Sequence, residues 1–381
     1  MLKPNRIACF FSTSGHSGVD RAMQHLIPEL AARGYQVDLL HIQRHGPYLK
    51  RIPDGVRVIE LGTSSTYSSL FPLTGYLRRE RPAVLLSDKD RVNRTAMLAR
   101  YLSGTKPRQV LRYGSTVSIN LASRGVFERW LQKTSMGKLY RHADCVIVPS
   151  AGAADDMASY TGLAREHIQV VPSPAIPDDA FNQRYTRPEH PWFQTGQPPV
   201  ILGVGELGKR KDFATLIRAF TRVRSRRDCR LVILGKGKLK ADLESLAETL
   251  GVAEDVAFPG FQPNPYDYMA HADLFALTSL WEGMAFALIE ALGMGTPVVS
   301  VDCPSGSREI LQDGKYGPLV AVQDDIALSQ AIIDTLDHPL PKNMLQQAAK
   351  PYSVSSATTA YLGAFNLPAT WPGNSGNPGS R

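Results

Sequence analysis

One pattern constrains this chain more than any other, and it occurs twice. A short apolar run ends in a glycine-containing loop, a helical periodicity follows, and a second apolar run closes the unit. In the first copy, residues 7–12 enter Thr13-Ser14-Gly15-His16-Ser17-Gly18. A helix pattern then covers 19–33, Gly34 stands where a C-terminal cap belongs, and Val37–His41 is the next strand. In the second copy, Val200–Val204 enters Gly203-Val204-Gly205-Glu206-Leu207-Gly208, followed by a helix over Phe213–Arg224 and a strand over Leu231–Leu234. A strand, a glycine loop and a helix in that order place the loop at the carboxyl edge of a parallel sheet, where open α/β sheets bind ligands. Gly15 and Gly18 would let such a ligand approach the backbone, with His16 between them.

The alternation continues after each start. Strands are expected at Val56–Leu61, Ala83–Ser87, Gln109–Leu111, Cys145–Val148 and Ile168–Val171, with helices at Leu70–Glu80, Arg91–Ser103, Phe127–Arg141 and Gly152–Tyr160. In the second half, strands are expected at Val256–Phe258, Leu274–Leu277 and Pro297–Ser300. Helices are expected at Leu239–Leu250, Pro265–His271, Ala285–Met294, Asp325–Asp337 and Ser353–Phe365. The proline-rich stretch after Pro172 breaks the pattern and reads as a linker. The expected division is an acceptor-side domain over 1–175, a linker over 176–198, a donor-side domain over 199–350, a final helix over 351–366 and a disordered tail over 367–381. His142-Ala143-Asp144 before CVIVPS echoes His271-Ala272-Asp273 before LFALTS, a local sign of two similar halves.

Charge separates the halves. Residues 1–175 hold 24 Lys and Arg against 13 Asp and Glu, whereas the remainder holds 19 against 22. A basic first half suits an anionic partner such as an acidic membrane surface or a phosphate-bearing lipid. No nucleic-acid recognition module and no aromatic-interleaved basic stripe was found, so nucleic acid is not expected as a partner. The four cysteines, Cys9, Cys145, Cys229 and Cys303, form no CxxC pair and suggest neither a zinc site nor a disulfide framework. With no signal-peptide pattern and no apolar run of about 18 residues, a cytoplasmic chain, peripheral on the inner membrane, is expected.

Three motifs could carry chemistry. Gly203-x-Gly205-x-x-Gly208 satisfies a dinucleotide fingerprint, which keeps an NAD(P)-dependent oxidoreductase open as an alternative. However, the next strand ends at Leu234-Gly235-Lys236 without the acid that a ribose needs. Lys209, Arg210 and Lys211 crowd that loop instead and suit a pyrophosphate. Asp88-x-Asp90 has the form of a divalent-cation DxD, but the helix behind it calls for an N-cap and Lys89 and Arg91 oppose a cation, so the cap is favoured. Glu282 and Glu290 flank and enter a helix that is apolar on nearly every side. A carboxylate there requires a partner. Gly283, Met284 and Ala285 stand at the N-terminus of that helix, an anion site.

These pieces together resemble the donor domain of a GT-B glycosyltransferase of the large retaining family 4. They are GVGELGKRKDFATLIRAF, VILGKG, VAFPGF, ADLFALTSLWEGMAFALIEALGMGTPVVS and DCPSGSREIL, in the usual order over about residues 200–320, with the Glu-x7-Glu signature at Glu282 and Glu290. The first half resembles the acceptor domain more loosely, through its glycine loop and GVDRAMQHLIPELAARGYQVDLL. The resemblance implies an α/β GT-B fold: two Rossmann-like doubly wound domains facing a central cleft, with the last helix crossing back to the first. It implies a hexosyltransferase that uses a nucleotide-sugar, most simply a UDP-sugar, with retention and with no cofactor or metal required. The acceptor would be lipid-linked or glycan, in bacterial surface-polysaccharide synthesis.

By the same resemblance Lys211 contacts the donor diphosphate, Glu290 the ribose and Glu282 the donor sugar. The backbone at Gly283, Met284 and Ala285 meets phosphate or sugar hydroxyls, and Phe261 lies near the base. Glu309 precedes the usual final acid of the site. Glu206 stands where the family usually has arginine, so Lys209 or Arg210 substitutes in the clamp. The usual acceptor-side histidine is replaced by Leu111-Arg112-Tyr113-Gly114-Ser115, where Arg112 could contact acceptor or leaving group, with His16 on the same side. These two departures also leave open a non-catalytic nucleotide-sugar-binding protein.

Overall fold

The computed structural model describes residues 1–15, 17–122 and 124–372. It divides into two compact units, Met1–Ala175 with Tyr352–Arg381, and Ile176–Pro351. His16 and the tail beyond 372 lie outside the described residues, so the expectations placed on them have no structural counterpart here.

The first unit starts with β1 (Lys3–Phe10), α1 (Gly18–Ala32), β2 (Gln36–His41), β3 (Val56–Glu60), α2 (Leu70–Glu80), β4 (Pro82–Asp88) and α3 (Asp90–Ser103). It continues with β5 (Arg108–Arg112), α4 (Val117–Ala122), α5 (Val126–Leu139), β6 (Cys145–Val148), α6 (Ala151–Thr161) and β7 (Ile168–Val170). Its sheet has seven strands in the order β3-β2-β1-β4-β5-β6-β7, all parallel. Buried runs such as Ile7–Phe11 explain the strands, since a sheet covered on both faces needs continuous apolar sequence. Helix starts follow from local capping. Ser17 and Asp20 form a reciprocal capping box at α1, and Ser150 accepts from Ala153 N at α6.

The second unit contains β8 (Val200–Val204), α7 (Phe213–Arg224), β9 (Arg230–Leu234), α8 (Lys240–Thr249), β10 (Val256–Gly260), α9 (Pro265–His271) and β11 (Leu274–Leu277). It ends with α10 (Phe286–Met294), β12 (Val298–Val301), α11 (Ser307–Ile310), β13 (Leu319–Val320), α12 (Asp325–Asp337) and α13 (Lys342–Ala349). The sheet order is β10-β9-β8-β11-β12-β13, again all parallel. In each sheet the strand order reverses beside the first strand, between β1 and β4 and between β8 and β11. The two glycine loops therefore end at the switch points where such sheets take ligands. The last helix, α14 (Val354–Phe365), belongs to the first unit.

Several expectations change. The 176–198 stretch is not a free linker. Phe193 is buried edge-on against Tyr268 at 5.2 Å between ring centres, and Ile176 fills the space beside Gly293, so the stretch packs on the second unit. The first residues of the expected disordered tail are held: Tyr35 Oη donates to Pro368 O at 2.5 Å, and Trp371 N donates to Arg33 O at 2.9 Å. Neither Asp88 nor Asp90 caps α3. The N-cap is Lys89, with no side-chain cap bond; Asp88 instead pairs with Arg112 Nη1 at 3.2 Å, and Asp90 with Arg94 Nε at 2.9 Å. The two carboxylates thus face different partners, and among the described residues no group of three or more His, Cys, Asp and Glu could hold a metal ion.

The echo of His-Ala-Asp also has a local cause. Asp144 Oδ2 accepts from Gln109 N at 2.8 Å and Asp273 Oδ2 from Val200 N at 2.8 Å, while each aspartate's own N–H donates back to the same neighbouring residue. Each pair staples a strand to the start of the strand beside it. The two strands, β6 and β11, hold different places in their sheets, so the echo marks a shared staple and not equivalent positions.

Candidate functional site

The site is built at the carboxyl ends of β8, β9 and β11 in the second unit. The β8 loop makes a short turn, Lys209–Lys211, before Asp212 caps α7 by accepting from Thr215 N. Two backbone-level contacts fix this turn against the strand beyond: Thr278 Oγ1 donates to Lys211 O at 2.8 Å, and Leu280 N donates to Arg210 O at 2.8 Å. The cations are thereby set opposite Glu282. Lys211 Nζ lies 2.7 Å from Glu282 Oε1, Arg210 Nη1 lies 2.5 Å from Oε2, and Ser279 Oγ donates to Oε1 at 2.8 Å.

Glu282 is 4% exposed and Lys211 8%, so this pair is shielded from water, whereas the Arg210 side chain is 38% exposed. Burial pushes the Glu282 carboxyl upward. The charges of Lys211 and Arg210 and the hydrogen bonds from Lys211 and Ser279 outweigh burial together, leaving it below the ordinary carboxylate range. The site therefore holds an ionised carboxylate against two cations.

Glycine shapes the rest. A side chain on Gly205 would strike the Lys211 stem at 2.6 Å, which explains how that stem lies flat along the loop. At Gly235, φ is +145° and an added Cβ would meet Gly205 O at 1.8 Å, so the β8 and β9 loops touch backbone to backbone. The DCPSGS loop is fastened to Glu282 by Ser305 Oγ, which donates to Glu282 O at 2.6 Å. Gly306 has φ +108°, backbone that favours glycine, and a Cβ there would lie at ordinary contact distance from Ala285 N and Met284 Cα, 3.7 and 3.8 Å. Gly283, Met284 and Ala285 lead into a nine-residue helix, where Phe286 N donates to Met284 O at 3.0 Å and Leu288 N to Ala285 O at 3.0 Å.

Glu290 lies on α10, 1% exposed, and accepts from Tyr266 Oη at 3.4 Å. Phe261, just beyond Gly260 at the end of β10, is 62% exposed. Lys209 and Glu206 are exposed on the β8 loop. Sequence reasoning missed Ser279, Ser305 and Tyr266. Ser279 stands only three positions before Glu282, a spacing that a turn brings within reach.

The first-unit candidates are arranged differently. Gly18 is the first residue of α1. Gly15 is packed from within: the Tyr48 ring occupies the place of a side chain there, at 2.7 Å, so its lack of Cβ serves internal packing. Arg112 is engaged by partners within the first unit. It is 3% exposed, with Nε donating to Tyr361 Oη at 2.9 Å, Nη2 donating to Ser173 Oγ at 2.8 Å and Nη1 beside Asp88. Burial lowers its affinity for a proton, but Tyr361 and Asp88 outweigh this and it stays charged. It ties β5 to Asp88 of β4, to Tyr361 of α14 and to Ser173 near the end of the first stretch of the first unit.

Paired doubly wound units with a cation-and-carboxylate site at the second switch point define the GT-B class. Residues 188–351 match the family described as glycosyl transferases group 1, and residues 17–174 match the glycosyl transferase 4-like domain. A curated relative from Campylobacter jejuni subsp. jejuni serotype O:2 is 31% identical over 68% of this chain and 69% of its own. Its name is N-acetylgalactosamine-N,N'-diacetylbacillosaminyl-diphospho-undecaprenol 4-alpha-N-acetylgalactosaminyltransferase. A second, the lipopolysaccharide core biosynthesis glycosyltransferase LpsE of Rhizobium meliloti, is 27% identical over 91% of this chain and 94% of its own. Among solved structures, HepE of Anabaena in complex with UDP superposes with a TM-score of 0.75 at 14% identity, covering 95% of this chain and 99% of that one. The chain belongs to the GT-B glycosyltransferases and is a glycosyltransferase, which sets aside the oxidoreductase alternative at Gly203–Gly208.

Proposed function

We propose that this glycosyltransferase moves a sugar from a UDP-sugar to a lipid-linked acceptor, with retention, in the assembly of a surface polysaccharide or lipopolysaccharide. The carrying observation is the buried Lys211–Glu282 pair with Arg210 beside it. Cations at a helix N-terminus suit a leaving nucleoside diphosphate, whose charge grows as the glycosidic bond to phosphate breaks. Lys211 and Arg210 would meet that charge, with Lys209 at the rim and the Gly205 loop beneath. The backbone at Gly283–Ala285 would add N–H donors. Glu282, released from the cations, would turn to the sugar. Glu290 would take the ribose hydroxyls beside Tyr266, and Phe261 would cover the base. Support for UDP comes from the complex of HepE, and support for a polyprenyl diphosphate-linked acceptor from the name of the Campylobacter relative. The basic first half supports an anionic membrane surface as partner.

The test is UDP release across a panel of UDP-sugars with a lipid-linked glycan acceptor, comparing the natural chain with Lys211→Ala and Glu282→Ala, each checked for folding by thermal melting. Transfer should be lost in both while the fold survives. Wild-type turnover in both variants would place the site elsewhere. UDP binding with no transfer or donor hydrolysis across the panel would favour a binding protein.

A further inference from the structure

A cavity in the second unit lies apart from the donor-side residues. It opens at the amino edge of the sheet, where β12 begins at Val298 and β13 at Leu319, opposite the edge that carries Lys211 and Glu282. Its volume is about 300 Å³, at the lower end of the range of small-molecule sites. Val298 and Leu345, both buried, and the half-buried Leu340 give it an apolar body.

The polar part of the lining says what would fit. Tyr316 is 4% exposed, yet its hydroxyl makes no hydrogen bond with any of the described residues, which leaves it to an occupant of the cavity. The Lys315 ammonium lies 4.9 Å from the centre of the Tyr316 ring and meets no carboxylate among the described residues. The His338 ring, at the end of α12, likewise makes no hydrogen bond among them. The one carboxylate in the lining, Asp334, is engaged by Gln330 Nε2 at 2.8 Å. Apolar walls beside a cation and two further donors match an organic anion, because a bare ion would leave the walls wet.

The wall of the cavity continues into the loop that holds Glu282. Residues 302–318 run from the DCPSGS loop, where Ser305 donates to Glu282 O, through α11 to the cavity. Backbone bonds join the run: Leu311 N donates to Ser307 O at 2.9 Å, Asp313 N to Arg308 O at 3.0 Å and Tyr316 N to Leu311 O at 3.1 Å. In its middle, Gln312 and Asp313 are successive non-glycine residues at φ +47° and +55°. Such backbone persists only where its surroundings hold it, and it collects at ligand clamps and switch regions. A ligand on Lys315 and Tyr316 therefore acts on a strained turn next to α11.

We infer that this cavity is a second ligand site, taking a small organic anion with a ring-sized apolar body, and that its occupation is transmitted along residues 302–318 to the loop that carries Ser305. The anion meets Lys315, His338 and the Tyr316 hydroxyl, and the body rests on Val298, Leu340 and Leu345. The inference goes beyond the proposed donor and acceptor and does not depend on either.

Benzoate, phenyl phosphate, phenol and inorganic phosphate are titrated into the full chain by calorimetry, and hydrogen exchange is followed over residues 302–318. Benzoate and phenyl phosphate should bind, and the tighter of the two says whether the anion is a carboxylate or a phosphate. Phenol, which lacks the charge, and inorganic phosphate, which lacks the body, should bind at least about tenfold more weakly. Lys315→Met should weaken the tighter probe about tenfold and Tyr316→Phe about fivefold. Thr335→Phe, which fills the cavity, should abolish binding. Thermal melting checks that each variant folds. The bound probe should slow exchange at residues 305–307, beyond its own contacts. No binding of either probe, or binding that Lys315→Met and Thr335→Phe leave unchanged, overturns the site. Slowed exchange confined to residues 314–318 overturns the transmission.

Discussion

Replacing Glu282 with glutamine should make the protein bind UDP more tightly while it loses the ability to transfer sugar. The carboxylate occupies both cations, with Lys211 Nζ at 2.7 Å and Arg210 Nη1 at 2.5 Å. An incoming diphosphate must take those cations or bring its own charge close to the carboxylate. At an effective dielectric of about 20, two unit charges about 4 Å apart interact by about 4 kcal/mol. Glutamine keeps an oxygen for Lys211 and Ser279 but removes the charge. Most of the gain is offset as the cations relax, and we expect about 1.4 kcal/mol to remain, a tenfold lower Kd for UDP. Transfer should fall by about 100-fold or more if the carboxylate serves the sugar. Titration calorimetry at fixed ionic strength reads the first effect and UDP release the second. The folded variant should also melt lower, because a buried cation loses its counter-charge. Unchanged or weaker UDP binding by a folded variant would show that Glu282 does not compete with phosphate, and the displacement argument would fail.

Two further outcomes follow from the first unit. Arg112→Met removes the tie to Tyr361, Ser173 and Asp88 and leaves a buried carboxylate uncompensated; a loss of about 3–5 kcal/mol in chemical unfolding is expected, with early proteolysis near α14. The hydrogen bond from Lys3, with help from Arg57 and against burial, lowers the Glu80 carboxyl to about 2, from 4.5. A group whose folded value is depressed stabilises above its unfolded value and ceases to do so as pH falls through the folded one. Glu80→Gln should therefore lower the melting temperature at pH 7, with the difference from the natural chain closing between about pH 4.5 and pH 2; a constant difference across that range would refute the assignment.

Much of the fold could be read from the sequence because buried parallel strands write themselves as unbroken apolar runs. Cys145–Val148, Val200–Val204 and Leu274–Leu277 have the observed limits. Elements without such runs were not legible. The helices Val117–Ala122, Ser307–Ile310 and Lys342–Ala349 are short, and the strand Leu319–Val320 has only two residues. At the site, chemistry was legible and pairing was not. The loop composition marked Arg210 as a cation, yet nothing in it shows that Arg210 rests on Glu282, because that contact depends on how two strand ends align. Arg112 shows the same limit more sharply. A lone arginine after a strand suggests a ligand contact, and only the fold reveals Tyr361, 249 positions later, as its partner. Lys89 holds the cap position while Asp88 pairs with the buried Arg112 and Asp90 with the half-buried Arg94.

The return of α14 to the first unit has a consequence for biogenesis. The chain leaves the first unit after Ala175 and re-enters it at Tyr352, and these two residues are joined by a hydrogen bond from Ala175 N to Tyr352 O of 2.9 Å. The second unit is thus an insertion closed at its base. During synthesis it has its whole sequence available while the first unit still lacks its final helix, the partner of Arg112 and the Trp371 contact with Tyr35. The half of the protein made first is the half that must wait for residues 352–372.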